Sequence, residues 1–341
     1  MHKGADLKSL AIQLGLSQST VSRALRGHHA IPESTRRRVE AAAEAAGYRP
    51  NARARSLAIG RAETIGLVFP LERLQLPETN FVDVLAGIST VVTQRNYSLL
   101  LSPFRDDEVA VLGKLASSKS VDGVIITRPL VVDPRIALLN QLGLTFVLHG
   151  RTEVQEPYSF VDTDNDASFE RLTGLLLDYG HRDIVAVNGL SHFRYAAARA
   201  AAFHRAFSAR GLEAPTEAVE FVSMTEATGF ETAMRHLAAP VRPTAFVCGS
   251  VFQARGVYRA AAACGLTVGR DLSVVAHDDG VRGCQATDLT PALTATTTPI
   301  SASGEGLAGM LIDLVEGRIK GPVGRILPFD LILRDSVHVV R

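Results

Sequence analysis

Residues 7–26, Leu-Lys-Ser-Leu-Ala-Ile-Gln-Leu-Gly-Leu-Ser-Gln-Ser-Thr-Val-Ser-Arg-Ala-Leu-Arg, read as helix, tight turn, helix. Leu7, Leu10, Ala11 and Leu14 recur at helical spacing and give the first helix an apolar face. Gly15 is its expected stop, because glycine adopts positive φ without steric cost. Ser17 is the expected cap of the second helix, its hydroxyl accepting a backbone N–H from the next turn. That helix is expected to bury Val21 and Leu25 and to turn Gln18, Ser19, Ser22 and Arg23 outward. Amide, hydroxyl and guanidinium groups on a short exposed helix have the chemistry to read base edges in a major groove. An ordinary helical hairpin with a polar surface is the plainer alternative.

The residues around this pair sharpen the choice. Pro32 opens a third helix whose inner side carries Val39, Ala42, Ala43 and Ala46, with Gly47 as its stop. The basic stretch Tyr48–Ala58 follows, with little apolar surface of its own, as in segments that order only on a partner. Residues 1–61 hold eleven Lys and Arg against four Asp and Glu, net +7, and the remaining 280 residues hold 25 against 31, net −6. A whole-chain charge of +1 thus conceals a basic head on an acidic body. The run Arg36-Arg37-Arg38 is expected to face phosphates rather than only solvent.

These blocks resemble the lactose-repressor (LacI/GalR) family of bacterial transcription regulators. The resemblance is carried by Ser17-Gln-Ser-Thr-Val-Ser-Arg23, Val39-Glu-Ala-Ala-Ala43 and Gly47-Tyr-Arg-Pro-Asn51 leading to Ser56-Leu-Ala58, and it continues from Ile65-Gly-Leu-Val68 to the end of the chain. It implies base contacts at Gln18, Ser19 and Arg23, with Leu7, Ser17, Thr20, Ser22, Arg26, Tyr48, Asn51 and Arg55 completing the DNA-binding set. It further implies a hinge helix at about residues 51–59 that enters the minor groove, with Leu57 as the wedge that opens a base step. The expected partners are pseudo-palindromic operator DNA, a sugar-like effector and a second copy of the chain, in the cytoplasm.

The body alternates short apolar runs with amphipathic stretches. Strands are expected at 64–69, 97–101, 123–127, 145–148, 184–187, 218–222, 244–247 and 272–276. Helices are expected at about 81–95, 108–117, 136–141, 169–179, 195–210, 229–237 and 251–264. Near-continuous apolar strands between helices imply parallel sheets covered on both faces. The expected fold is therefore an all-α helix-turn-helix head (residues 1–60) on a clamshell resembling periplasmic binding proteins (residues 61–341). Its two doubly wound subdomains divide as 62–163 with 293–325, and 164–291 with 326–341, crossing over near 162–165 and 290. Ligands bind such halves in the crevice facing the strands' carboxyl ends. The resemblance implies effector contacts at Phe81, at Asp164 in the Asp164-Asn165 step and at Arg199, and positions after strand ends add Thr127, Arg128, Phe193, Arg194, Ser250 and Asp278 to the expected effector-binding set. Carboxylates accepting hydroxyl hydrogens, an arginine fork and an aromatic platform suit a vicinal polyol. Each residue also has a structural alternative: helix caps for the aspartates, an ion pair for Arg199, core for Phe81. The sequence departs from the family pattern at Gly249-Ser250, where many relatives carry Asn-Asp, so no particular sugar carries over.

Other classes fit less well. No GxSxG, HExxH, Walker loop or GxGxxG stands in its required context, and His277-Asp278-Asp279 reads as ligand contacts or caps rather than an acid–base cluster. A transporter's solute-binding protein is disfavoured by the basic head and by an N-terminus without a secretory signal. Cys248, Cys264 and Cys284 are widely spaced and support neither a metal site nor disulfides; Cys248 and Cys264 are expected to be packed. No cofactor and no membrane span are expected. The resemblance places a dimer face on the helices 81–95 and 251–264, and the absence of a trailing heptad argues against a coiled-coil tail.

Overall fold

The computed structural model describes residues 6–25, 30–48, 61–71 and 80–340. Arg26, Asn51, Arg55, Leu57 and the expected hinge helix lie outside the described residues. The chain divides into a unit ending at Ala62 and a unit from Glu63 onward, two residues beyond the expected boundary.

In the first unit, α1 (Leu7–Leu14) is opened by a capping box: Ser9 N donates to Asp6 Oδ1 at 2.7 Å while Asp6 N donates to Ser9 Oγ at 3.1 Å. Gly15 closes it at φ +63°. Ser17 Oγ accepts from Thr20 N at 3.1 Å where α2 (Gln18–Leu25) starts, and α3 (Glu33–Ala45) follows Pro32. Leu10, Ala11, Val21, Ala24, Val39 and Ala43 form the small core. Ala24, not Leu25, is the second buried residue of α2; it lies three positions from Val21 on the face toward the core, and Leu25 packs at the flank.

The second unit contains two six-stranded sheets. Strands β1 (Thr64–Pro70), β2 (Ser98–Phe104), β3 (Gly123–Thr127), β4 (Thr145–His149), β5 (Ser159–Thr163) and β11 (Gly324–Leu327) form the first, in the order β11-β5-β4-β3-β1-β2. Strands β6 (Ile184–Asn188), β7 (Val219–Phe221), β8 (Ala245–Cys248), β9 (Ser273–Asp278), β10 (Thr294–Thr297) and β12 (Asp330–Ile332) form the second, in the order β12-β10-β9-β8-β6-β7. Every pairing is parallel except β10 with β12. Helices α4 (Phe81–Gln94), α5 (Glu108–Ser118), α6 (Arg135–Leu142) and α11 (Ile300–Val315) cover the first sheet, and α7 (Asn165–Asp178), α8 (Arg194–Ser208), α9 (Glu226–Leu237) and α10 (Val251–Ala263) cover the second.

The chain crosses between sheets at 164, at 298–299 and at 328–329. The last two differ from expectation. Thr294–Thr297 pairs with both β9 and β12, so it belongs to the second sheet, and Leu327 still pairs with Thr163 in the first. Among the described residues no helix is long and apolar enough to cross a membrane. Cys248 and Cys284 are buried, whereas Cys264 is exposed at the end of α10, contrary to the packed position expected for it.

Candidate functional site

On the first unit, Gln18, Ser19 and Arg23 are exposed along α2, with Thr20 and Ser22 half-buried beside them. The Ser17 hydroxyl hydrogen-bonds with those of Ser19 and Thr20, both at 2.8 Å, so this corner is a small ordered hydroxyl cluster. Leu7 and Tyr48 pack against the core of the unit. The arginine run is partly engaged: Arg37 and Arg36 lie 2.6 and 3.6 Å from Glu33, and Arg38 Nη2 donates to the Leu14 carbonyl at 2.8 Å.

The second unit encloses a cavity of about 540 Å³ between its sheets, at the carboxyl ends of β3, β4, β5, β8 and β9. Six of the nine residues expected there line it: Thr127, Arg128, Phe193, Arg194, Arg199 and Ser250. Three do not. The Phe81 ring is buried against Phe69, centroids 4.6 Å apart, in the first sheet's core, while Asn80 and Val84 face the cavity. Asp164 caps α7, its Oδ1 accepting from Ala167 N at 3.1 Å, and the next residue, Asn165, lines the cavity. Asp278 turns the other way, its two carboxylate oxygens accepting from Gly280 N at 2.8 Å and Ala286 N at 2.9 Å. Its neighbours His277 and Asp279 face the cavity, since successive side chains at a strand end alternate.

Arg199, 5% exposed, is the anchor of this site. Its Nε donates to Asn165 Oδ1 at 2.8 Å and its Nη1 to the Gly249 carbonyl at 2.9 Å, while the guanidinium lies over the Phe169 and Tyr195 rings at 4.9 and 5.2 Å. The arrangement continues across the first crossover: Asn165 Nδ2 donates to Asp162 Oδ1 at 3.2 Å, and Arg151 Nε donates to Asp162 Oδ2 at 2.7 Å. Burial lowers the Arg199 pKa, opposed by the charges of Asp279, Tyr195 and Asp162, yet a guanidinium remains cationic. Burial pushes the Asp162 carboxyl up despite Arg151. For Asp279 burial acts in the same direction but is outweighed by the hydrogen bond from His277 and by the charges of His277, Arg199 and His149, so its pKa falls below the usual range. A cation and an ionised carboxylate therefore face one cavity with an apolar wall that includes Leu190, Tyr195, Met224 and Phe252.

The Gly249-Ser250 departure has a steric correlate. A Cβ on Gly249 would stand 3.1 Å from Arg199 Nη1 and 3.0 Å from Gln253 Oε1, so the guanidinium fills the room a side chain would take. Ser250 caps α10, its Oγ accepting from Gln253 N at 3.3 Å. Asn80, His149, Arg151, Asp162, Tyr195, Met224 and Phe252 also line the cavity without having been expected there; most sit in loops or first helical turns, where apolar periodicity carries no orientation. For Asp279 a signal existed, the alternation with His277. Among the described residues no group of His, Cys, Asp and Glu could hold a metal ion.

Residues 6–51 match the family model "Bacterial regulatory proteins, lacI family", and residues 173–337 match "Periplasmic binding protein-like domain". The regulator AglR of Rhizobium meliloti (strain 1021) is 36% identical over 334 residues, 97% of this chain and 94% of the relative. The chain belongs to the lacI family of bacterial regulatory proteins. The Escherichia coli regulator RafR is 32% identical over 92% of each chain. A structure of the regulator CelR in complex with cellobiose superposes with a TM-score of 0.73 at 26% identity, over 98% of this chain and all of that one. A lac repressor dimer bound to operator shares the fold, with a TM-score of 0.83 at 24% identity over 98% of this chain and 99% of that one. As a lacI-family member the chain is a DNA-binding transcription regulator and not an enzyme.

Proposed function

We propose that the protein is a cytoplasmic, homodimeric repressor whose operator affinity is controlled by a sugar bound between the two subdomains. The observation that carries the reading is the convergence of Arg199 and Asp279 on a cavity at the carboxyl ends of two parallel sheets. A guanidinium donates to paired hydroxyl oxygens, a carboxylate accepts their hydrogens, and the apolar wall that includes Leu190, Met224 and Phe252 suits the apolar side of a pyranose. CelR, with its bound cellobiose, supports a carbohydrate as the ligand class. Of the expected set, Thr127, Arg128, Phe193, Arg194, Arg199 and Ser250 remain the proposed contacts, and Asn165 and Asp279 replace Asp164 and Asp278.

On the first unit, Gln18, Ser19 and Arg23 are the proposed base readers, with Ser17, Thr20, Ser22, Leu7 and Tyr48 around them. Two such helices related by a twofold axis require a pseudo-palindromic operator. The exposed Val82 on α4 and Leu100 and Leu101 on the edge strand β2 are consistent with a second copy packing there.

A thermal-shift panel tests the ligand class. Glucose, galactose, their 6-phosphates and common disaccharides are added at millimolar concentration to the full chain. At least one is expected to raise the midpoint, because a ligand at a hundred times its Kd adds about 2.7 kcal/mol. A nucleobase or amino acid that raises it while every sugar fails contradicts the reading.

A further inference from the structure

The geometry points to Arg135 as a positioning residue for closure of the cleft, an inference that rests on reading the cleft as the effector site. Arg135 and its partner Asp133 do not line the cavity. They hold the segment that does. Arg135 Nη2 donates to the carbonyls of Thr127 at 3.0 Å and Arg128 at 3.3 Å, and its Nε and Nη2 grip the two Asp133 oxygens at 2.9 and 2.7 Å. Asp133 in turn accepts from Leu130 N at 3.2 Å. The backbone at Arg128 is left-handed, φ +58°, a conformation that is unfavourable for a non-glycine residue and persists only where its surroundings impose it.

Accounting for the backbone groups of this segment shows what the shape is for. The carbonyls of 127 and 128 and the amide of 130 point back to Arg135 and Asp133, within their own subdomain. The carbonyl of 129 and the amide of 131 point the other way, across the cleft. Arg194 N donates to Pro129 O at 3.1 Å and Val131 N donates to His192 O at 3.2 Å, which makes Leu130 and Phe193 an antiparallel bridge pair. Two side-chain contacts cross at the same place: Arg128 stacks on Phe193 at 4.6 Å and Arg194 Nε pairs with Glu153 at 2.9 Å. β3 and β6, which lead into the two segments, lie away from the strands where the chain crosses over. A clasp there resists opening at a distance from the crossovers. Arg135 fixes one half of the clasp in the conformation that the other half must meet, without touching the ligand.

The test is amide hydrogen exchange on the full-length chain, read by peptide, for the native sequence and Arg135→Gln. The expected result is at least about tenfold faster exchange at 130–131 and also at 192–194 on the opposite subdomain, with β6 and β8 unchanged. Faster exchange confined to 127–135, or spread through the whole unit, overturns the inference. Arg135 Nη1 also pairs with Glu108 Oε1 at 2.8 Å, so if Arg135→Gln does not fold, the neutral set Glu108→Gln/Asp133→Asn/Arg135→Gln takes its place, because it leaves neither carboxylate unpaired.

A second measurement probes the clasp first with Arg135 in place. Leu130→Cys/Phe193→Cys, made with Cys264→Ser, should form a disulfide with oxidised glutathione, since facing residues of an antiparallel bridge lie within disulfide reach. With Arg135→Gln added the rate should fall about tenfold, and closing the bond should restore protection at 192–194. No disulfide in the Arg135 background overturns the inference. Neither readout involves a sugar, so a failed clasp leaves the effector reading standing, and a failed sugar panel leaves the clasp standing.

Discussion

Arg199 holds the scaffold of the cleft and is the proposed contact to the ligand, and its substitution should reveal both roles. Arg199→Ala removes the cation that faces the cavity and leaves Asn165 Oδ1 and the Gly249 carbonyl without their donor. Loss of a buried charged donor costs about 1–3 kcal/mol. The expected outcome is a lower midpoint, loss of the sugar-induced shift and unchanged duplex affinity. A sugar response that survives would make Arg199 purely structural. At the DNA face, Arg23→Ala should weaken discrimination at one base pair by about 1–3 kcal/mol, read from affinities for single-base variants of the selected duplex. Uniform weakening on all duplexes would make Arg23 a phosphate contact. A third residue contributes to the acid sensitivity of the body. His181, fully buried, hydrogen-bonds with Thr244 Oγ1 at 2.9 Å and with the His338 carbonyl at 3.1 Å, and burial lowers its pKa to about 4. The folded chain therefore binds its proton less readily than the unfolded chain. Stability is fully present above pH 6.5 and falls toward pH 4, by about 3 kcal/mol from this group. An imidazole resonance of His181 titrating near 6.5 in the folded chain would contradict this.

Two helix pairs approach so closely that only glycine fits at their crossings. A Cβ at Gly87 on α4 would stand 2.0 Å from the Ser301 carbonyl on α11, and one at Gly304 on α11 would stand 2.2 Å from the Val84 carbonyl. Gly229 on α9 and Gly256 on α10 meet in the same way in the other subdomain. Gly304→Ala should cost about 1–3 kcal/mol by overpacking. Gly309→Ala on the same helix, with nothing within 4 Å of the added carbon, should be neutral or stabilise by about 0.5–1 kcal/mol. Equal midpoints for the two variants would refute the close crossing. These elements also show what the sequence made legible. The alternation from β1 to β9 is visible, apart from β5, because most of these strands are nearly continuous apolar runs; β5, Ser-Phe-Val-Asp-Thr, mixes polar with apolar residues and gives no such run. β10, Thr-Ala-Thr-Thr, hides because its buried hydroxyls find partners: Thr296 bonds with Ser168 at 2.7 Å, and Thr294 donates to the Arg334 carbonyl at 3.0 Å. α11 is hidden as well, because Gly304, Gly306 and Gly309 weaken its local helix signal. The cleft residues at strand ends were legible as a group, but Asp164 against Asn165 and Asp278 against Asp279 depend on which neighbour the local turn makes a cap.

At the scale of the whole molecule, the basic head and acidic body divide the labour. Net +7 in residues 1–61 makes duplex binding steeply salt-dependent, each phosphate contact contributing about −0.9 to the slope of log K against log salt. Net −6 in the rest gives the body no such attraction. Coupling between the two requires only that the sugar favour one arrangement of the subdomains, and about 1–3 kcal/mol of preference changes occupancy roughly 5–150-fold. The direct test is fluorescence anisotropy of a duplex selected from random sequence by the full-length chain, titrated at fixed salt with and without the sugar that raises its thermal midpoint. A change in affinity of roughly 5–150-fold, absent in Arg199→Ala, is the expected result. Equal affinity with and without that sugar, in a chain shown to bind both, would contradict the account.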